Sequence, residues 1–430
     1  MGYEVGQLAE VTAAEVAHGG WCVARPDHGG PVIFVRHALP GERVLVRITE
    51  VTTRFARADA IKIMDASPDR VDPPCPHARP GGCGGCDWQH AGLPAQRALK
   101  AAVIGQQLRR LAGLDRAVTV EPVPGGAPAG LGWRTRMQFA VRPDGVAGLR
   151  AHRSHDVVDV GDCPIAHPDI NALGLTRSRW PDVSSVEAIA GDGSRAVIVA
   201  GRGADGRYGD VAAEAVLTRS GRGGGLTALR GRGYLSQRAA GRQWRVSAGA
   251  FWQVHPGAAD TLAEAVLAAL RPRAADVVLD LYCGAGLFAG VLAPLVGPDG
   301  AVVGVESDAA AVRDAKHNLR AHRWARVHRG DVAKVVSRGG LPPARLVVAD
   351  PPRTGLAREV IAYLDTSAVE RFAYVSCDPA TLARDIGLLV ARGWTLADLR
   401  AFDAFPMTHH VECVATLTSS SRKAQCPESR

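Results

Sequence analysis

An apolar run, "FAYVS", ends at Cys377, and Asp378-Pro379 then opens a helix-like stretch. A thiol where a parallel strand hands over to a helix sits at the crevice in which open α/β sheets bind ligands. Two nearby segments bring further groups. "VVADPPRTGL" sets Asp350 and Arg353 at another strand end on a stiff Pro-Pro backbone, and "VECVATL" places Glu412 inside an apolar strand. A thiolate can add to an electron-poor ring carbon and leave again, while a buried carboxylate takes the proton the ring must lose. Uracil is such a ring: addition at carbon 6 makes carbon 5 a nucleophile toward an electrophilic methyl group. The scheme needs a thiol (Cys377), a base (Glu412), a methyl donor in line and a target base extruded from its stack. The helix start after Cys377 is expected to lower the thiol pKa. His409 and His410 precede Glu412; as neighbours on a strand they would point to opposite faces, which gives them structural or orienting roles.

A donor site is legible upstream. "DLYCGAGLFAG" follows the strand-like "VVLDL", with Gly284 and Gly286 allowing a tight turn and close approach of a ligand. Glu306 ends the next strand, placed to accept hydrogen bonds from ribose hydroxyls. By itself this motif fits a nicotinamide dinucleotide as well as S-adenosylmethionine. A dehydrogenase, however, has no use for Asp-Pro-Pro-Arg or for the cysteine, and a methyl donor beside a thiol does.

Cys75, Cys83 and Cys86 form C-x7-C-G-G-C, and Cys163 in "VGDCPIAHP" makes a fourth. On spacing, four thiolates suit structural zinc or an iron–sulfur cluster equally. Formal charge is +8, and only five of the 51 basic residues are Lys. Arg favours bidentate phosphate contacts and base stacking, which points to nucleic acid as partner. The N-terminus lacks a basic region followed by an apolar core, and the apolar stretch 277–296 is broken by Asp280 and several Gly. A cytoplasmic, non-membrane protein, monomeric, is expected.

These elements must be positioned by more than one domain, given 430 residues. Residues 1–68 alternate as short strands with Gly and Pro turns, the pattern of an OB-type β-barrel that binds RNA. Residues 69–245 hold the cysteines, an amphipathic helix over 95–112 (Leu99, Val103, Gln107 and Leu111 on one repeat) and strands with Gly-rich turns, an α+β central domain. Residues 246–418 alternate strand and helix, which argues for a parallel sheet covered on both faces. The polar tail 419–430, with Cys426, reads as disordered.

"DLYCGAG", "ADPPRTGL", "VSCDPATLARD" and "FPMTHHVE", in this order, resemble the RNA uracil-5-methyltransferase family along the whole chain. The resemblance implies a TRAM-type barrel, a central domain and a class I (Rossmann-like) methyltransferase domain, α/β in class. It implies Cys377 as nucleophile, Glu412 as the base that takes the carbon 5 proton, and S-adenosylmethionine contacts from Gln253, Tyr282, Glu306 and Asp350. Asp331 is added by analogy with the acidic residue near the adenine. Members with this cysteine set hold a [4Fe-4S] cluster, which implies one on Cys75, Cys83, Cys86 and Cys163; the seven-residue first gap is longer than usual and keeps zinc as an alternative. Leu287 and His255 stand where the family often has Asn. Barrel plus cysteines resembles the enzymes of 23S ribosomal RNA, with transfer RNA as second choice. A non-catalytic RNA-binding or folding factor would have had no need to keep Cys377 and Glu412.

Overall fold

The computed structural model describes residues 3–25, 30–127, 129–205, 211–219 and 224–419. Strands β1 (Leu8–Ala17), β2 (Trp21–Ala24), β3 (Val32–Arg36), β4 (Arg43–Val51) and β5 (Phe55–Asp65) form a closed barrel in the order β1-β2-β3-β5-β4. Alternation along the strands turns small aliphatic residues such as Val11, Ile33, Val35, Val46 and Ala58 inward to fill it.

Residues 75–89 follow as irregular chain, and then α1 (Leu93–Gln107), with Pro94 in its first turn. One π-helical turn over 108–112 continues it, and Gly113 at φ +66° stops it. The helix expected over 95–112 is therefore present; of its repeat Val103 is buried and Leu99 half-buried, and the buried side also takes in polar residues. Gln96 and Lys100 are buried while Leu111 is 42 % exposed. The polar pair is buried because partners await it: Gln96 bonds the carbonyls of Trp88 and Ala91, and Lys100 reaches Asp403 at 2.5 Å. The strand β6 (Val120–Pro122) comes next.

The central sheet comprises β7 (Arg136–Val141), β8 (Ala147–Arg150), β9 (Val157–Val158), β10 (Val183–Ala190), β11 (Arg195–Gly201), β12 (Ala215–Arg219) and β13 (Leu226–Arg230), with the short helix α2 (Pro168–Asn171) before β10. Its order is β13-β12-β11-β10-β7-β8-β9. Parts of both Gly-rich turns, 206–210 and 220–223, lie outside the described residues. A hairpin of β14 (Tyr234–Ala239) and β15 (Arg242–Ser247) leads onward.

The remainder runs α3 (Ala258–Leu270), β16 (Val277–Leu281), α4 (Leu287–Val296), β17 (Ala301–Glu306), α5 (Ala309–Asn318), β18 (Ala325–Arg329), α6 (Val332–Ser337), β19 (Leu346–Ala349), α7 (Arg358–Thr366), β20 (Arg371–Ser376), α8 (Pro379–Val390), β21 (Trp394–Asp403) and β22 (Glu412–Ser419). The sheet order is β18-β17-β16-β19-β20-β22-β21-β6. Pairing is parallel from β18 to β20, while β22 runs antiparallel to both β20 and β21. The apolar runs are buried on both faces, one face under α3, α4 and α5 and the other under α1, α6, α7 and α8. Thus α1 and β6, which precede the central sheet in sequence, belong to this layer instead: β6 pairs with β21 and α1 packs on α8. The strand order turns back at β16, so the crevice at the carboxyl ends of β16 and β19 is the topological switch point. Among the described residues no helix is long and apolar enough to cross a membrane. Of the tail 419–430, expected to be disordered, Ser419 ends β22 and the rest lies outside the described residues.

Candidate active site

Strand register delivers the candidate pair. In the β20–β22 ladder Ser376 stands opposite Cys413, so one step further along Cys377 faces Glu412. Opposed residues of an antiparallel pair project on the same side with Cβ atoms about 5 Å apart. In the parallel ladders Ala349 pairs with Leu281 and with Tyr374, which brings Asp350 level with Tyr282 on one side and Val375 on the other. Leu281 pairs with Val305, so Glu306 is level with Tyr282. Glu306, Tyr282, Asp350, Cys377 and Glu412 therefore stand along one crest of the sheet.

Burial and mutual repulsion dominate the electrostatics. Burial, then the Glu412 carboxyl, push the Cys377 thiol up to about 12, against the pull of the Arg353 guanidinium. The lowered thiol pKa expected at this helix start is thus not found. The N-terminus of α8 has its own anion in Asp378, whose Oδ1 accepts from the N–H groups of Ala380 and Thr381 at 3.0 and 2.8 Å. Burial likewise holds Glu412 well above the usual carboxylate range, Asp350 adds to this, and Arg353 opposes it. Asp350 itself is pushed to about 7 by burial.

The donor-side residues form a cradle. Tyr282 adopts φ +64°, a strained backbone for an aromatic residue, and Gly284 and Gly286 follow at +53° and +88°. A Cβ at Gly284 would meet open space. Glu306 accepts from the Gly284 and Asp308 N–H groups at 3.0 and 2.7 Å, so it fastens the glycine turn while facing the crevice. Asp280, which sequence reasoning did not select, is fully buried; its Oδ2 accepts from the Ala289 N–H at 2.8 Å and its Oδ1 has no partner among the described residues. Burial pushes it to about 8, with Asp350 and Glu306 adding to the effect. The signal was available, since "VVLDL" is a buried strand interrupted by one acid. Asp331 caps α6, accepting from the Lys334 N–H at 3.0 Å, and its charge is felt by the Tyr282 hydroxyl. Gln253, which follows β15 and precedes α3, is buried and lines a small cavity with Thr135, Arg136 and Trp252.

Residues 404–411 form a turn rather than a strand, with Met407 at φ +69°. His409 and His410 consequently do not face opposite ways: their rings lie 4.0 Å apart. His409 Nδ1 is 2.6 Å from Asp87 Oδ2, and His410 Nε2 is 3.3 Å from the Arg353 guanidinium. Asp87 directly follows Cys86, so the cysteine segment is tied to the strand that carries Glu412. The barrel reaches the same wall, where His18 Nε2 lies 3.2 Å from Asp378 Oδ2. Burial disfavours the Asp378 carboxylate, yet His18 and Thr381 outweigh it and hold it at about 2.

Cys75, Cys83, Cys86 and Cys163 line one cavity of about 380 Å³ between the 75–89 segment and the central sheet. Burial raises the thiols of Cys83, Cys86 and Cys163, and each of the three also feels another of the four cysteines. Among the described residues no three His, Cys, Asp or Glu side chains converge closely enough to close on a metal ion.

Comparison with known proteins bears on these arrangements. The tRNA (Uracil-5-)-methyltransferase family model matches residues 344–420, the TRAM domain model residues 3–61 and a methyltransferase domain model residues 272–336. An uncharacterized RNA methyltransferase of Streptomyces coelicolor is 50% identical over 97% of this chain and 94% of its own, and one of Streptomyces avermitilis is 50% identical over 97% and 100%. The crystal structure of the Pyrococcus abyssi tRNA (uracil-54, C5)-methyltransferase in complex with S-adenosyl-L-homocysteine matches with a TM-score of 0.73 at 21% identity, covering 95% of this chain and 100% of that one, a likeness of fold. With half its residues shared with RNA methyltransferases over nearly its full length, and with Asp350, Cys377 and Glu412 inside the uracil-5 match, this chain belongs to the RNA uracil-5-methyltransferase family.

Proposed function

We propose that this enzyme methylates carbon 5 of a uridine in structured RNA through a covalent cysteine adduct, with S-adenosylmethionine as donor. The observation that carries the reading is the opposition of Cys377 and Glu412 beside Asp350 and Arg353 at the switch-point crevice. Cys377, once ionised, adds its sulfur to carbon 6 of the extruded uracil, and the ring carries the resulting charge as an enolate. After carbon 5 has gained the methyl group, Glu412 as carboxylate removes the carbon 5 proton, and the carbon 6–sulfur bond breaks to return the thiolate. Arg353 faces both groups and favours the ionised form of each in turn.

S-Adenosylmethionine, when bound, supplies the electrophilic methyl. Tyr282, Glu306, Asp350 and the unpartnered Oδ1 of Asp280 would hold it, a set of acceptors suited to ribose hydroxyls and a cationic ligand. A nicotinamide enzyme would have no use for Cys377 and Glu412 opposed at the same crevice, which counts against that reading. Asp331 and Gln253 remain contacts by resemblance only. Four thiols spread around a shared cavity fit a [4Fe-4S] cluster better than zinc, whose bonds of about 2.3 Å require thiolates to converge on one point. Such a cluster would hold the 75–89 segment, and with it Asp87, in place.

For the substrate, barrel plus cysteines favours 23S ribosomal RNA. The archaeal transfer-RNA enzyme has this architecture over 95% of the chain, which favours transfer RNA as the second reading. The adduct is tested with RNA carrying 5-fluorouridine, which offers no carbon 5 proton to remove. The native protein should form an RNA–protein species stable to denaturation and Cys377→Ala should form none. Equal trapping by both would remove Cys377 from its role.

A further inference from the structure

The barrel holds aromatic side chains that its core does not use. Alternation along β3 and β5 turns Ile33, Val35, Ala56 and Ala58 inward and Phe34, Phe55 and Arg57 outward. The parallel register sets Phe34 opposite Arg57. On this outer face the Phe34 and Phe55 rings meet edge to face with centroids 5.5 Å apart. The Arg57 guanidinium lies 4.7 Å from the Phe55 ring and 5.6 Å from that of Trp21, and Trp21 in turn lies 5.6 Å from the ring of His152. Trp21, Phe34 and Phe55 are all half-buried and all absent from the packed interior of the barrel. Burying apolar surface does not explain three of the largest side chains of the barrel on its outside.

The strip begins at the candidate active site. Trp21 follows the turn in which His18 touches Asp378, next to Cys377, and a Cβ at Gly20 would stand 3.1 Å from His409 Cβ. Arg57 and Arg153 share the single carboxylate of Glu50, at 2.5 and 3.7 Å, which leaves the strip net positive. Alternating rings and guanidinium groups suit unpaired bases, which stack on any aromatic face, while a regular duplex hides those faces.

We propose that Trp21, Phe34, Phe55 and Arg57 form a stacking platform for unpaired nucleotides flanking the target uridine, so that the substrate segment is a single-stranded loop. The proposal rests on the RNA-methylation reading and adds the class of RNA it takes. The test uses the full chain and a fluorescently labelled mixed-sequence RNA oligomer, as a single strand and annealed to its complement, with binding read by anisotropy. Phe34→Leu and Phe55→Leu keep apolar volume but remove the ring. Each should weaken single-strand binding by roughly 5- to 150-fold, the equivalent of about 1–3 kcal/mol per stacked base, and leave the salt dependence of the native protein unchanged. Arg57→Ala should reduce the slope of log affinity against log salt by about 0.7, and Phe34→Tyr should restore binding. Leu variants that bind the single strand within twofold of native while keeping the native melting temperature would overturn the platform. So would native binding to the duplex as tight as to the strand, or a shift in the oligomeric state of the Leu variants with RNA binding intact. Methyl transfer to total RNA is measured in parallel: loss of binding in the Leu variants beside a native protein that transfers no methyl refutes the methylation reading and leaves the platform standing.

Discussion

Cys377 must be a reluctant thiol in the free protein, and its titration offers a quantitative check. Burial and the facing Glu412 carboxyl place it at about 12, against 9.0 for an ordinary cysteine. At pH 8 the thiolate fraction is then about 1 in 10⁴ rather than about 1 in 11, roughly a thousandfold difference. A more basic thiolate is also more nucleophilic, with a Brønsted slope of about 0.4–0.5, which recovers roughly 15- to 30-fold. Reaction with a small neutral disulfide should therefore run roughly 30- to 60-fold slower than that of an exposed cysteine, before any effect of access. The assay follows modification of the peptide bearing Cys377 by mass spectrometry from pH 6 to 10, with Cys377→Ala as control. The rate should climb about tenfold per pH unit to the end of the range, because the thiolate fraction does. A plateau at or below pH 8 would refute the reasoning, since it would mean a thiol already activated before RNA and donor arrive.

Other perturbations separate the roles. Glu412→Gln should lower turnover by roughly 10²–10⁴-fold, as expected for loss of a general base, and accumulate methylated RNA bound to protein on a denaturing gel. The same variant carries a stability signature. Because the folded protein holds Glu412 above its unfolded value of 4.5, the native chain loses stability as pH rises through that window and the Gln variant does not. Melting temperatures should thus diverge in favour of Glu412→Gln toward high pH; a gap that closes instead would contradict the burial argument. Lys100→Ala strands Asp403 in the interior and should cost about 3–5 kcal/mol in denaturant unfolding, far more than an exposed pair would. Iron and sulfide should accompany the anaerobically purified protein, and Cys83→Ala should lose both; zinc alone would favour the single-ion site.

Much of this arrangement was legible because chemistry and strand ends coincide in the sequence. The apolar runs "AVVGVE" and "LVVAD" end in the crest residues Glu306 and Asp350, and "VVLDL" and "FAYVS" are each followed at once by one, Tyr282 and Cys377. What escaped depends on pairs distant in sequence. Gln96 and Lys100 are the buried polar residues of α1, and each has a partner some 300 residues onward: the Met407 N–H donates to Gln96 Oε1, and Lys100 reaches Asp403. The thiol pKa runs opposite to what the helix start alone predicts, because burial and the Glu412 carboxyl that the β20–β22 register sets opposite Cys377 both raise it. The strand that would set the two histidines on opposite faces begins only at Glu412, and the contact of His18 with Asp378 joins segments 360 residues apart in a way no local pattern announces.

The central claim is methylation at carbon 5, and product identity tests it most directly. The native protein, labelled S-adenosylmethionine and unmodified 23S RNA or, separately, transfer RNA would be incubated, the RNA digested and the labelled nucleoside identified by mass spectrometry. The account predicts 5-methyluridine, from 23S RNA on the leading reading and from transfer RNA on the second, and none with Cys377→Ala. Label in any other nucleoside, or transfer to neither RNA by a folded protein with its cysteine site loaded, would contradict it.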